Sequence, residues 1–131
     1  MTVFTDAELE YLHSQRLGRI ATASPVGEPE VSPVGFEADP TGISTGGLDI
    51  TKTVRYHNIQ ATGRAAMVVD DLASVDPWRP RGIKVRGRAE IDTDGQGQSR
   101  IRLTPETVWS WGINEGAPKH FADRIEKRTV G

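Results

Sequence analysis

The chain of 131 residues contains no cysteine, which excludes disulfides, thiolate nucleophiles and Cys-ligated zinc or iron-sulfur centres. No apolar run approaches the roughly 20 residues that a membrane helix requires. The opening MTVFTDAELEY is acidic where a secretory signal would be basic, so the expected location is the cytoplasm. A Walker loop and an HExxH pair are both missing, and Gly95-Gln96-Gly97 lacks the third glycine and following helix of a dinucleotide fingerprint. His13, His57 and His120 lie far apart in sequence, and such scattered histidines predict no metal site. No serine sits in a nucleophile elbow. This pattern points to chemistry lent by a cofactor, with the protein supplying binding, orientation and electrostatics.

What is present is a chain of single-domain size. Residues 1–131 read as one domain, with a core over 4–113 and a polar tail over 114–131. A globule of this length has a radius of gyration of about 14 Å and buries roughly two thirds of its unfolded surface. A deep private pocket is hard to fit, so a large ligand needs a second subunit. The 16 Lys and Arg against 18 Asp and Glu leave a net charge of -2, which gives no reason to expect nucleic acid. The charges are nevertheless unevenly placed. Residues 1–50 carry two basic and eight acidic side chains, residues 51–90 carry eight and four, and residues 91–131 carry six of each.

Thr5 and Glu8 form a capping-box pair ahead of Leu9, Tyr11 and Leu12, predicting a short helix that ends near Gly18. Residues 19–23 and 31–36 predict strands joined by a Pro- and Gly-punctuated turn, with Pro33 marking an edge or bulge. A short strand follows at 43–45, then Gly46-Gly47, then helical spacing over 50–59. Residues 64–70 predict a strand buried on both faces, and 71–81 a loop containing Pro77, Trp78, Pro80 and Arg81. The clearest strand is 82–92, with Ile83, Val85, Gly87, Ala89 and Ile91 on one face and Lys84, Arg86, Arg88 and Glu90 on the other. Strands at 100–104 and 107–113 bring the count to about seven, and the tail from 118 is expected to be helical or frayed. The fold class is mostly β: an antiparallel barrel or sandwich with short helices.

Thr51, Lys52, Thr53, Arg55 and Asn58 suit an anion, with hydroxyls near a helix start and two cations three residues apart. Two solvated cations on an exposed face would look the same. Lys84, Arg86 and Arg88 fit a solvated strand face, but they follow Trp78 and Arg81, which suit a planar ring and an anionic tail. Trp109 and Trp111 are candidate core or dimer-contact aromatics.

Taken in order, several segments resemble the pyridoxamine 5'-phosphate oxidase-like split β-barrel family, and in particular its small branch that uses the deazaflavin coenzyme F420. They are Leu17 to Thr22 with Gly27 and Pro29, Pro33 to Phe36, Arg55 to Ile59, Val68 to Asp71, Pro77 to Gly82, and Arg86 to Glu90. The resemblance spans residues 4–113. It implies a six- or seven-stranded split barrel that forms a homodimer with cofactor grooves between the subunits. Val34, Gly35, Phe36, Ser44 and Thr45 would line the tricyclic ring, and Thr51, Lys52, Thr53, Arg55 and Asn58 would hold the phosphate. Trp78, Arg81, Lys84 and Arg86 of the second subunit would meet the ring or tail. The family often has Lys three residues before the Asn, where this chain has Arg55, so Lys52 and Arg55 both stand as candidates for the phosphate.

The implied activity is an oxidoreductase in which F420H2 delivers a hydride to an electrophilic conjugated small molecule such as a quinone or enone. FMN is the alternative cofactor, and a non-catalytic carrier of a flavin, deazaflavin or tetrapyrrole is the alternative role. F420 bears an oligoglutamate tail that the cations at 79–86 would serve and that FMN lacks. No residue is assigned to catalysis, and neither a nucleic acid nor a membrane is an expected partner.

Overall fold

Stretches in which apolar and polar residues alternate build eight strands among the described residues, alongside two short α-helices. The computed structural model describes residues 2–47, 49–114 and 125–131. In chain order the elements are α1 (Asp6–Ser14), β1 (Leu17–Ala23), β2 (Pro29–Gly35), β3 (Glu37–Asp39), β4 (Gly42–Thr45), a 3-10 turn (Ile50–Lys52), α2 (Val54–Thr62), β5 (Arg64–Ser74), β6 (Arg79–Thr93), β7 (Ser99–Trp111) and β8 (Glu126–Thr129). Every pairing is antiparallel, and the strands follow the order β2-β1-β5-β6-β7-β4-β3 with β8 added against β7. This curled sheet is the split barrel expected of the sequence. Pro33 lies on β2, an edge strand, where its missing N–H is tolerated.

The core is aliphatic. Leu12, Ile20, Ile43, Met67, Ile83, Val85, Ile101, Leu103 and Val108 are each no more than 2% exposed, and each such side chain contributes roughly 2 kcal/mol by leaving water. β6 keeps its predicted alternation, with Ile83, Val85 and Ala89 inward and Lys84, Arg86 and Arg88 outward. α1 carries the predicted capping box, with the Glu8 amide donating to the Thr5 hydroxyl and the Thr5 amide to the Glu8 carboxylate. α2 ends at Gly63, whose φ of +68° is the left-handed conformation that glycine adopts without strain.

Five expectations need correction. α1 stops at Ser14 rather than near Gly18, because the Gln15 amide turns back to the Leu12 carbonyl and β1 starts at Leu17. β5 is buried on one face only: Ala65, Met67 and Val69 point inward, while Ala66 and Val68 are half-buried outside. The predicted loop 71–81 is mostly strand, since Asp71 pairs with Arg81 and Leu72 with Pro80, leaving a turn at residues 75–78. The two predicted C-terminal strands are one, β7, running through Pro105 where the ladder to Gly87 slips. A Cβ on Gly87 would collide with the Thr104 carbonyl oxygen, so glycine admits the proline there.

Finally, residues 126–129 of the expected tail form β8. The rest of that tail, 115–124, lies outside the described residues. β4 pairs with β7 residues 101–103 and β8 with residues 107–110, so the two share one edge of β7 on either side of Pro105. Arg128 of β8 reaches α1, where Nη1 donates to Glu8 Oε2 at 2.9 Å, Nη2 donates to Glu8 Oε1, and Nη2 also bonds the Val3 carbonyl. Glu8 is fully buried.

Candidate cofactor groove

The exit of β2 and the exit of β4 are tied together. Thr45 is 2% exposed and its hydroxyl donates to the Gly35 carbonyl at 2.6 Å, so Gly35-Phe36 and Gly46-Gly47 border one depression. The hairpin between β6 and β7 closes a third side, with Gln98 Nε2 donating to the Gly47 carbonyl at 3.2 Å. The resulting cavity has a volume of about 380 Å³ and is lined by Gly35, Phe36, Glu37, Gly46, Gly47, Asp94, Gln98 and Arg100. A second cavity of about 360 Å³ shares Phe36 and Glu37 and adds Leu12, His13, Gln15 and Ala38. Both lie at the small end of ligand-site volumes.

Two arginines on this face behave differently. Arg102 donates to both Asp39 oxygens at 2.6 and 2.9 Å, to Ser44 Oγ at 3.0 Å and to Thr41 Oγ1 at 2.7 Å. These bonds hold the Asp39 carboxyl well below the usual carboxylate range, with the Arg102 hydrogen bond as the main cause. Among the described residues, Arg100, two residues earlier, has one loose ion pair, Nη1 to Glu37 Oε2 at 3.3 Å, and its buried Nε has no hydrogen-bond partner.

The start of α2 forms the second part. The Thr53 hydroxyl accepts from the Tyr56 amide and donates to the Ile50 carbonyl, so it caps the helix. Thr51 is held by Asp49, and Lys52 is exposed with Nζ 3.9 Å from Asp49 Oδ2. Arg55 is half-buried and its Nε is buried without a partner. Asn58 is buried and donates to Thr22 Oγ1 at 3.0 Å, fastening α2 to β1. Arg55 is thus the residue at this helix start that carries an unmet donor, while Thr53 and Asn58 are engaged within the fold.

The outer sheet face is the third part. Lys84, Arg86 and Lys127 surround the Trp109 indole, with their cationic centres 4.5, 5.2 and 5.4 Å from the ring centroid. Arg81 is not among them. It lies at the barrel end, bound by Nε and Nη2 to Asp71 at 2.7 and 3.0 Å and stacked 5.0 Å above Tyr11. The Arg81 hydrogen bonds keep the Asp71 carboxyl low, while burial and the bond to Asp71 push the Tyr11 hydroxyl up. Trp78 is 66% exposed on the turn between β5 and β6.

Of the residues expected to meet the ring, Gly35 and Phe36 line the cavity. Val34 is core, Thr45 braces the rim, and Ser44 is bonded by Arg102. Sequence reasoning missed Arg100, His13 and Lys127 at these surfaces, and left Trp109 open between core and dimer contact. Their signal was cross-strand register, such as Lys84 opposite Trp109 opposite Lys127, which becomes legible only when the pairing is known.

A glycine-walled groove on a curled antiparallel sheet, with Arg100 in its lining, suits a planar ring, and the architecture is that of a small split-barrel protein. A profile described as pyridoxamine 5'-phosphate oxidase matches residues 4–121. The 5a,11a-dehydrotetracycline/5a,11a-dehydrooxytetracycline reductase of Streptomyces rimosus is 34% identical over 119 residues, covering 84% of each chain. Among solved structures, the conserved hypothetical protein Rv2991 of Mycobacterium tuberculosis superposes with a TM-score of 0.70 at 17% identity, over 92% of this chain and 96% of that one. A FAD-binding protein of Mesorhizobium loti gives 0.66 at 18%, over 84% and 94%. These two share the fold.

The chain belongs to the pyridoxamine 5'-phosphate oxidase family. The family and the reductase relative place it among oxidoreductases.

Proposed function

We propose that the protein is an F420H2-dependent reductase acting on an electrophilic, conjugated small molecule. The observation that carries this reading is the pair of adjoining cavities hinged on Phe36 and Glu37, one suited to a cofactor ring and the other to an acceptor beside it. The Streptomyces rimosus relative is named for reducing a dehydrotetracycline, which supports a polycyclic enone as the acceptor class here.

When bound, the deazaflavin supplies a hydride. The chain's own residues bind and orient. Gly35, Phe36, Gly46 and Gly47 offer a flat, side-chain-poor wall that a ring can approach closely. Arg55 and Lys52 hold the phosphate at the start of α2, where orphan amides already favour an anion. The Trp109 cluster with Lys84 and Arg86, contributed by a second copy of the chain, meets the anionic tail. Exposed Leu17 and Val31 on β1 and β2 and the tryptophans of β7 support this homodimer, because they leave apolar surface on the sheet's outer side.

FMN is the second reading, and Arg81 favours it: a cation expected to serve a long tail is already neutralised by Asp71. Fluorescence titration with F420 and FMN separates the two, and preferential FMN binding would sink the first. Replacing Lys52 and Arg55 together with Ala removes two charge-assisted contacts, about 3 kcal/mol or more, so affinity for the favoured cofactor is expected to fall at least a hundredfold. An unchanged affinity refutes the anion site.

A further inference from the structure

We infer that Arg100 is the donor that recognises the oxygen-bearing edge of the planar ring in the groove. The inference rests on the cofactor reading above and adds a binding residue to it.

The argument starts from the contrast along β7. Arg102 and Arg100 are two residues apart on one strand face, so both reach toward β3 and β4. Arg102 is saturated by Asp39, Ser44 and Thr41, as an arginine serving the fold should be. Arg100 is not. Among the described residues its only ion pair is with Glu37, whose side chain is 77% exposed, and such a pair contributes little to stability. Its Nε is buried with no acceptor, and a buried N–H left unmet costs about 1 to 3 kcal/mol. A side chain in that condition fits a missing acceptor.

The groove shows where that acceptor lies. The Arg100 stem runs against Gly46: a Cβ there would stand 3.4 Å from Cγ and 3.5 Å from Nε. The glycine therefore leaves room for the guanidinium to lie flat along the wall of the 380 Å³ cavity that it lines with Gly35, Phe36 and Gly47. Glu37 anchors the far end at Nη1 and leaves Nε and Nη2 as a fork. A guanidinium edge of this kind suits paired carbonyl and ring-nitrogen acceptors, which are what the N1 and C2-carbonyl edge of an oxidised flavin or deazaflavin presents. The same cation beside that edge stabilises negative charge on a reduced ring.

The test uses full-length protein without cofactor, titrated by fluorescence with F420, FMN, riboflavin and the phosphate-free deazaflavin riboside. Arg100→Gln is expected to weaken binding of the preferred ring about tenfold, equally with and without the phosphate. Lys52→Ala/Arg55→Ala should weaken only the phosphorylated forms. Arg64→Gln breaks an exposed ion pair with Glu106 that lies outside both cavity linings, so it should bind within about twofold of wild type. The reduction potential of the bound ring should become more negative in Arg100→Gln. Arg100→Lys keeps the charge, loses the Nε fork and should lose most of the ring affinity; it serves if the Gln variant fails to fold. Wild-type affinity in both Arg100 variants overturns the assignment and leaves the cofactor reading standing. Equal losses in Arg100→Gln and Arg64→Gln overturn it too, since the loss would then be a general effect of removing a surface arginine. Failure of the wild type to bind any of the four compounds overturns both readings.

Discussion

Glu8 shows how much one side chain can hold. Burial alone would push its carboxyl up, but bonds from Arg128, the Thr5 amide, Asn114 and Ser110 override burial and bring it down from 4.5 to about 2. A carboxyl whose value is depressed by folding stabilises the fold above its unfolded value and loses that contribution as pH falls. The window runs from about pH 4.5 down to 2, and the amount is about 3 kcal/mol. Urea midpoints of wild type and Glu8→Gln should therefore differ at pH 6 and converge toward pH 2; parallel curves would remove Glu8 from the account. The sequence displayed the capping box because its partners are three residues apart. Arg128 is 120 residues away, so the ion pair was invisible there.

Among the elements, β6 was legible because its apolar and charged residues alternate without interruption, and one face of it meets the core. The neighbouring loop was misread because Pro77 and Pro80 are turn formers by local propensity, while the ladder runs from the Asp71–Arg81 pair past Pro80 to Ser74 and Arg79, leaving only Pro77 in the turn. Tertiary pairing outweighed local preference. Gly82 marks another such contact: an added Cβ would sit 2.5 Å from Trp111 Cζ2 and 2.8 Å from the Val69 carbonyl oxygen. Gly82→Ala is expected to cost about 2 kcal/mol by overpacking and to change the near-ultraviolet dichroism of Trp111. Wild-type stability with an unchanged spectrum would show that the indole moves aside freely.

At the scale of the whole molecule, the groove is shallow and the outer sheet face carries tryptophans, cations and exposed aliphatic side chains. A second copy covering that face would both bury it and deepen the groove. The wild type is expected to sediment at twice the 14.3 kDa of one chain. Leu17→Asp/Val31→Asp should sediment as a monomer and lose cofactor affinity. A wild-type monomer that binds cofactor fully would rule out a shared groove. The expectation of a second subunit came from chain length alone, and Gly35 and Phe36 of the groove were legible from the order of segments along the chain. Arg100 and the Trp109 cluster were not, because a register of paired strands, rather than any local motif, gathers them.

The bond from Arg128 to Glu8 and Val3 also bears on the order of events at the ribosome. The first helix is synthesised with a carboxylate that must be buried, and its counter-charge emerges only after translation has passed residue 128. Until then β7 lacks β8 along residues 107–110, and a nascent chain keeps an unpaired sheet edge. A chain terminated before residue 126 would leave that edge open beside an uncompensated buried charge.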